Sequence, residues 1–578
     1  MRYTKFRIGE EDIMKKKIMR LSFVLCTALL FITEVRAAYL DDMTAARANA
    51  TNIASSSSVQ VNKKIPKEYS EFALGKNKSY AHTYTGVQEV SQTVRDSWED
   101  GRGAWSANML DDLDNDGERD DMRGEPSLAV NSIKNSYSIL FKKVDVYNDT
   151  LVDVKETVVD FEVDPNPNGD RPVIMLQNTS FGATVLGVRW VKLKYEFFES
   201  GTNKPINVKG NTSYYDVDGY QGIVLNSGNK GIYVTSDCVL KLTKVDNQPY
   251  IFSEEGYDSS NSPTHGFSET FEGSTITRTF QFDVDSTHGL SEGFMGHSAT
   301  PVAPVEPSKP VKKVSKSSVN IGEEYTYTVS HTVPQMLSQF YYKSFVIEDT
   351  LENVLSVNAN NVSITNEDSE IVTSKFNITV SGQKISISPK NIADASFYGH
   401  TYNIKIKTSV KSGSDLTKYK QGDEYIIPNY ATSKIADHEN TMHEQKTEIV
   451  NVKVVRIKVN YVIVGNVRPD SSKTDKTPGT DIIDKGTKYN AASQLKTNDT
   501  TKSYTFKGWY TDEALTKKYV DGTVLNQDTT LYGAWEATVI VNVPPTAAQT
   551  PLIIAGLGLL LIAGGTTYYI LNNKKSNK

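Results

Sequence analysis

The sequence predicts an all-β, multidomain protein, and three observations predict it. Short runs alternate apolar with polar residues, as in "EEYTYTVSHTV" and "TITRTFQFDVD", which is the two-residue period of a half-buried strand. Tyr, at 31, outnumbers Phe, at 20, and recurs with Thr and Val in these runs. Helical stripes are almost absent outside the two ends. A chain of 578 residues is too long for one core, so roughly three or four domains are expected.

The first element is basic and then apolar. Lys15, Lys16, Lys17 and Arg20 precede "LSFVLCTALLFI" and then Val35-Arg36-Ala37. A charged segment, a short apolar run and a small residue at the cut describe a secretory signal over 1–37, cleaved after Ala37. The competing reading, a retained anchor, is disfavoured because the run is short for a membrane span. Cys26 lies in this run, which leaves Cys238 alone in the mature chain and no intrachain disulfide to form. An exported chain without disulfides needs another source of stability. The formal charge of −6 becomes about −13 once the basic ends are set aside. No basic patch for nucleic acid is evident.

Residues 38–68 are small and polar and read as a flexible leader. A β-rich region follows over 69–297. "LDDLDNDGERDD" is its loudest feature. Asp112, Asp114 and Asp116, then Gly117 and Asp120, place hard oxygen ligands at alternate positions before a turn, a pattern that suits Ca²⁺. The bidentate Glu of a helix–loop–helix hand is replaced by Arg123. A β-type calcium loop and a solvated acidic turn are the two readings left. Ca²⁺ is the one candidate cofactor, and none is required. "NTSYYDVDGYQGIVLN" holds a second D-x-D-G, with Asp216 and Asp218, and is similar over a short stretch to N-terminal domains of surface adhesins. No H-E-x-x-H, G-x-S-x-G, phosphate loop or dinucleotide fingerprint occurs. The chain is therefore read as a non-enzyme. A glycan hydrolase acting through two carboxylates of 69–297 is the alternative, because carboxylate pairs carry no sequence signature.

Next comes "SATPVAPVEPSKP", residues 298–310, with prolines at 301, 304, 307 and 310. That density favours an extended spacer. The second β region, 311–455, carries the strongest chemistry. In "SFVIEDTL" alternation sets Phe345, Ile347 and Asp349 on one face. The same rule groups Ile427, Asn429 and Ala431, and pairs Lys312 with Val314. A one-residue slip would turn Lys313 inward instead. A Lys, an Asp and an Asn thus share one apolar core. Burial there favours the neutral amine of Lys312, a nucleophile, and the protonated acid of Asp349, which can polarise the Asn429 amide.

The order "K-x-V", "G-x-x-Y-T-Y", "F-V-I-x-D-T-L" and "P-N-Y-A-T" across 310–453 resembles the isopeptide-forming domains of Gram-positive fimbrial and surface proteins. The resemblance implies an Ig-like β-sandwich. It also implies an intramolecular bond between a Lys on the first strand and an Asn on the last, Lys312 and Asn429, with Asp349 as the catalytic acid.

Residues 456–536 contain "YTFKGWYTDEALTKKYVDGTVLNQDTTLYGAWE", which resembles the internalin-type B repeat, also called the Listeria–Bacteroides repeat. That implies a β-grasp-like spacer module. Trp509, Tyr510, Tyr532 and Trp535 could form a sugar-stacking platform, but core positions are the expected role.

The tail, 537–578, has three parts. "VPPTA" resembles the L-P-x-T-G sorting motif, with Val543 for Leu and Ala547 for Gly, departures that leave the sortase class open. An apolar run over 552–571 is long enough to span a bilayer as a helix. Lys574, Lys575 and Lys578 follow it and would hold the end inside. The resemblance implies that a sortase cuts between Thr546 and Ala547. It would then join Thr546 to peptidoglycan or another pilin subunit, the membrane holding the chain only before sorting. A retained anchor explains the last two parts but not the first. The whole reads as a wall-attached adhesin or fimbria-like protein of a Gram-positive-type bacterium, with a host or environmental ligand.

Overall fold

Alternation in the sequence becomes strand throughout the computed structural model. It describes residues 39–541 apart from 77, 92–109, 112–120, 166–171, 255–261, 283, 286–289, 423, 470–476, 494–496 and 499–500. The signal segment, the sorting motif with Thr546 and Ala547, and the apolar run 552–571 lie outside the described residues. Among the described residues no helix is long and apolar enough to cross a membrane. The chain divides into two compact units, 1–454 and 455–578.

The first unit opens with a nine-stranded antiparallel sheet. The long strands Thr150–Val163 and Val188–Glu199 pair near its middle. Among the described residues two five-stranded sheets and a two-stranded one complete the region. Their shared core is aromatic: Phe141, Phe181, Phe197 and Phe271 have no exposure, and Phe197 stacks on Phe271 at 5.8 Å. Burying one such ring contributes about 2–3 kcal/mol.

Residues 38–68 differ from the expected flexible leader. A short helix, residues 39–47, sets Met43 among Trp190, Tyr250 and Phe252. Ile53 and Ile65 are fully buried, and Gln60–Val61 pairs with Asn229–Val234. Widely spaced apolar anchors hold a segment whose composition is otherwise small and polar. The proline-rich stretch is likewise packed rather than free-running. Val302, Ala303 and Val305 are buried, and Val305 bridges Ile65. It leads straight into the second region.

That region, from Val311 to Val454, has three sheets. One orders Val311–Val314, Glu324–Val333, His400–Ser409 and Val362–Thr365. A second orders Ser318–Val319, Val450–Val454, Glu424–Asn429 and Lys420–Gln421. The third places Ser344–Thr350 between Lys384–Pro389 and Ala431–Ala436, with Met442–Lys446 at one edge. Ion pairs tie it to the first region: Lys64 to Asp437 at 2.7 Å, Lys78 to Asp368 at 3.1 Å and Lys313 to Asp149 at 3.2 Å.

The second unit is built on a mixed sheet in which Arg456–Ile463 runs parallel to Thr529–Val539. Trp509 and Trp535 lie in its core with Tyr461 and Leu531, and the Trp509 indole donates to the Ala492 carbonyl at 2.6 Å. Tyr510 and Tyr532 face each other across two strands, half-buried.

Candidate functional site

Three strands from three sheets deliver the polar trio. Lys312 lies on Val311–Val314, opposite Val329. Burial alternates along this strand, so Lys312 turns inward and Lys313 outward to Asp149. Asp349 follows Phe345 and Ile347 on the buried face of Ser344–Thr350, flanked by Ile385 and Ala431. Asn429 ends Glu424–Asn429 on the same face as Ile427, opposite Val450.

The Lys312 amine contacts the Asp349 carboxylate, and neither side chain has any solvent exposure. Asn429 is 3 % exposed. The Tyr327 ring lies 4.7 Å from the Lys312 nitrogen, and its hydroxyl meets that of Tyr325 at 3.3 Å. Tyr327 is the diagonal cross-strand neighbour of Lys312. The inward face of "Y-T-Y" was visible in the alternation, but its role beside the amine needed the strand pairing.

Hydrogen bonding in the trio is incomplete. Asp349 Oδ1 and both polar atoms of the Asn429 amide are buried without a hydrogen bond of good geometry. The amide nonetheless lies near enough to Asp349 to favour its ionised form. An unpaired buried polar group costs about 1–3 kcal/mol, so three in one place is an expensive arrangement for a purely structural role.

Burial also sets the protonation states. It pushes the Lys312 amine down, and the nearby Asp349 charge only partly opposes this. It pushes the Asp349 carboxyl up, against the opposing pull of Lys312 and Asn429. Both shifts favour a neutral amine beside a protonated acid. That pair is a nucleophile and a proton donor facing an unpaired carboxamide.

One expectation needs correction. Asn429 is not on the last strand. Ala431–Ala436, Met442–Lys446 and Val450–Val454 all follow it, and the last of these pairs directly with the strand that carries Asn429. The hydrophobic pattern marks each strand but not the order in which strands meet.

The acidic residues Asp112, Asp114, Asp116 and Asp120 lie outside the described residues. Leu110–Asp111 pairs with Asp121–Met122 on either side of them. Among the described residues no cluster of three or more His, Cys, Asp or Glu side chains could hold a metal. Cys238 is buried, and its thiol is pushed up to about 11, mainly by that burial.

Comparison with known proteins finds two family models. Residues 305–447 match the cell surface antigen I/II C2 terminal domain, and residues 473–533 match the Listeria-Bacteroides repeat domain. A stretch of 187 residues is 28 % identical to platelet adherence protein A of Streptococcus gordonii. It covers 31 % of this chain and 5 % of that relative's length. Among solved structures, the N-terminal domain of the Streptococcus gordonii adhesin Sgo0707 is similar at 12 % identity over 69 % of this chain and 99 % of that one, with a TM-score of 0.29. BcpA, the major pilin subunit of Bacillus cereus, is similar at 16 % identity over 56 % of this chain and 99 % of that one, with a TM-score of 0.27. TM-scores this low do not establish a shared fold.

Proposed function

We propose that residues 311–454 seal themselves with an amide between Lys312 and Asn429, and that the chain is a bacterial surface adhesin or pilin-like structural protein. The observation that carries the first part is the buried trio: a Lys amine and an Asp carboxyl in contact beside an Asn amide that makes no hydrogen bond of good geometry. The domain match at 305–447 and the stretch similar to platelet adherence protein A support the second part.

The reaction balances within the trio. The Lys312 nitrogen attacks Asn429 Cγ. A C–N bond forms as the Cγ–Nδ2 bond breaks. Asp349 gives its proton to the departing nitrogen and takes one from the attacking amine. Ammonia leaves, and Asp349 ends as it began. Holding the two reactants in one dry core makes the step effectively unimolecular. It runs once per chain, so the product is a structural bond and not turnover. At the far end, a sortase would join Thr546 to peptidoglycan or to another subunit. The chain would then be displayed on the cell surface to meet a host or environmental ligand.

Intact mass measurement tests the bond. The purified chain is expected to lack one ammonia. Lys312→Ala, Asn429→Ala and Asp349→Ala should each restore the full mass, while Lys313→Ala should not. A full mass in the unsubstituted chain overturns the reading. Fractionation tests the attachment: wall-bound protein lacking 547–578 is expected, and an intact C-terminus in the membrane fraction contradicts it.

A further inference from the structure

The place of Asn429 in the strand order determines which parts of the domain a Lys312–Asn429 bond can protect. Tension enters the second region at Val311 and leaves it at Val454. With the bond in place, the force passes from Lys312 directly to Asn429, and residues 313–428 drop out of the path. Residues 430–454 do not.

We infer that this region is a bounded spring: the cross-link shields 313–428, and 430–454 yields under tension by one short, limited step. The inference rests on the cross-link reading.

Two features of the pairing set how that step resists. Glu424–Asn429 and Val450–Val454 are antiparallel, with Asn429 opposite Val450 and Tyr425 opposite Val454. The point held by the bond and the point where the chain leaves are therefore at opposite ends of the ladder. Pulling them apart slides one strand along the other and strains all its pairs together. A peeling geometry would break them one at a time. Val450–Val454 is also clasped on its other side, where Val319 pairs with Val454 and Ser318 with Lys453. Val452 and Val454 are buried at 0 % and 2 % exposure, so sliding also exposes apolar side chains.

Beyond that ladder the restraints are uneven: Ala431–Ala436 pairs along six residues with Ser344–Thr350, Ile435 is fully buried, and Lys64 of the first region holds Asp437 and Glu439. Met442–Lys446 is an edge strand, paired only with Ala431–Ala436. The Gln445 amide donates to the Pro307 carbonyl at 2.9 Å, and Lys309 meets Glu448 in an exposed pair. Once the ladder slides, the edge strand Met442–Lys446 is drawn out and Ala431–Ala436 peels from Ser344–Thr350 one pair at a time, until Asn429 stops the chain.

The lengths make the two cases distinguishable. Residues 430–454 number about 25 and extend to about 85 Å, a gain of about 70 Å over the ladder's own length. Without the bond the whole of 311–454 can extend, a gain roughly six-fold larger.

The experiment pulls the full chain between cysteine handles at Lys309→Cys and Val455→Cys by atomic-force spectroscopy, with the mass of each preparation measured first. A chain lacking one ammonia is expected to give one step of about 70 Å between these handles and then no extension up to rupture. The same chain with Asn429→Ala is expected to give the step roughly six-fold longer. A chain lacking one ammonia that shows no step overturns the partition and leaves the bond standing; one that shows the long step puts the lost ammonia elsewhere and overturns the Lys312–Asn429 bond. A full-mass chain with the long step overturns the bond, and the inference falls with it.

Discussion

Two buried ion pairs sit in the two regions of the first unit, and they are built to opposite ends. In the first region Arg278 and Glu269 have no exposure. Every polar atom of this pair has a partner. Arg278 donates to both Glu269 oxygens at 2.7 and 2.8 Å and to the carbonyls of Ser227 and Thr277. Glu269 also accepts from the Tyr214 hydroxyl at 2.6 Å and from Asn229 at 3.0 Å. In the second region Lys312 and Asp349 are as deeply buried, yet a carboxyl oxygen and a whole carboxamide beside them go unpaired. Guanidinium cannot give up its proton, and its fork matches a carboxylate. Lysine can be neutral, and a neutral amine can react. A satisfied pair is a structural joint, whereas an unsatisfied one with a neutralisable lysine has the features that the proposed cross-linking reaction needs.

The largest expected effect breaks the second region's side of the comparison. A bond from Lys312 to Asn429 closes a loop of roughly 120 residues, which by chain entropy alone is worth about 5 kcal/mol. Asn429→Ala should lower the opening free energy of the amides in Ser344–Thr350 by about that much, with little change in Val188–Glu199. Native-state hydrogen exchange reads both regions in one molecule. An unchanged second region would mean that the trio adds no covalent stability.

The first region should respond to loss of a partner, not loss of a bond. Arg278→Met leaves the Glu269 carboxyl group buried with only Tyr214 and Asn229, a loss of about 3–5 kcal/mol. Arg278→Met with Glu269→Leu should recover much of it, because a satisfied buried pair is close to neutral against apolar replacements. The contrast is sharp if no double substitution at Lys312 and Asn429 recovers what the proposed bond would supply. Denaturant titration of the single and double variants checks both.

How much of this was legible in the sequence depends on distance along the chain. Period-two alternation placed Phe345, Ile347 and Asp349 on one face, and likewise Lys312 and Asn429, because facing is a local property of a strand. The meeting of Arg278 with Glu269 was not legible. Alternation sets Arg278 between Ile276 and Phe280, and Glu269 between Phe267 and Phe271, so each faces inward by the same local rule, but they lie on strands of different sheets and no local pattern says which inward faces meet. The packed state of 38–68 was hidden for a related reason. Met43, Ile53 and Ile65 are too far apart to form a periodic pattern, and each is held by a residue distant in sequence. Asn429's true place in the strand order was missed because a resemblance supplied the expectation and pairing decided the outcome.

A pH scan combined with one substitution probes the second region at smaller scale, His297 in the first region being likewise pushed well down by burial. His331 is 1 % exposed, packs on Phe345 at 5.1 Å, and is pushed down to about 4 by burial, against a small upward pull from the Thr332 carbonyl. A base whose folded pKa lies below its unfolded value destabilises the fold once the unfolded chain takes up the proton. Stability is therefore full above about pH 6.5 and falls as pH drops towards 4, by up to about 3 kcal/mol. His331→Leu should flatten that fall in the second region's exchange. If the slope between pH 7 and about 4.5 is unchanged, other groups carry it.

The smallest expected effect tests whether the two regions need each other. Lys64 reaches from the first region to Asp437 at 2.7 Å and Glu439 at 2.6 Å. Burial would raise the Asp437 carboxyl, but hydrogen bonds from His443 and Lys64 and the Thr441 N–H hold it well below the usual range. After Lys64→Ala, Asp437 keeps His443 at 3.0 Å and the backbone N–H groups of Glu439 and Thr441. Its charge stays satisfied, so this loss should be about 1 kcal/mol or less, well short of that at Arg278. Lys64 is also a quarter exposed, so added salt should shrink the effect further, which it cannot do for the fully enclosed Arg278 pair. A loss at Lys64 that matched Arg278→Met and resisted salt would put the junction, not the two cores, at the centre of the unit's stability.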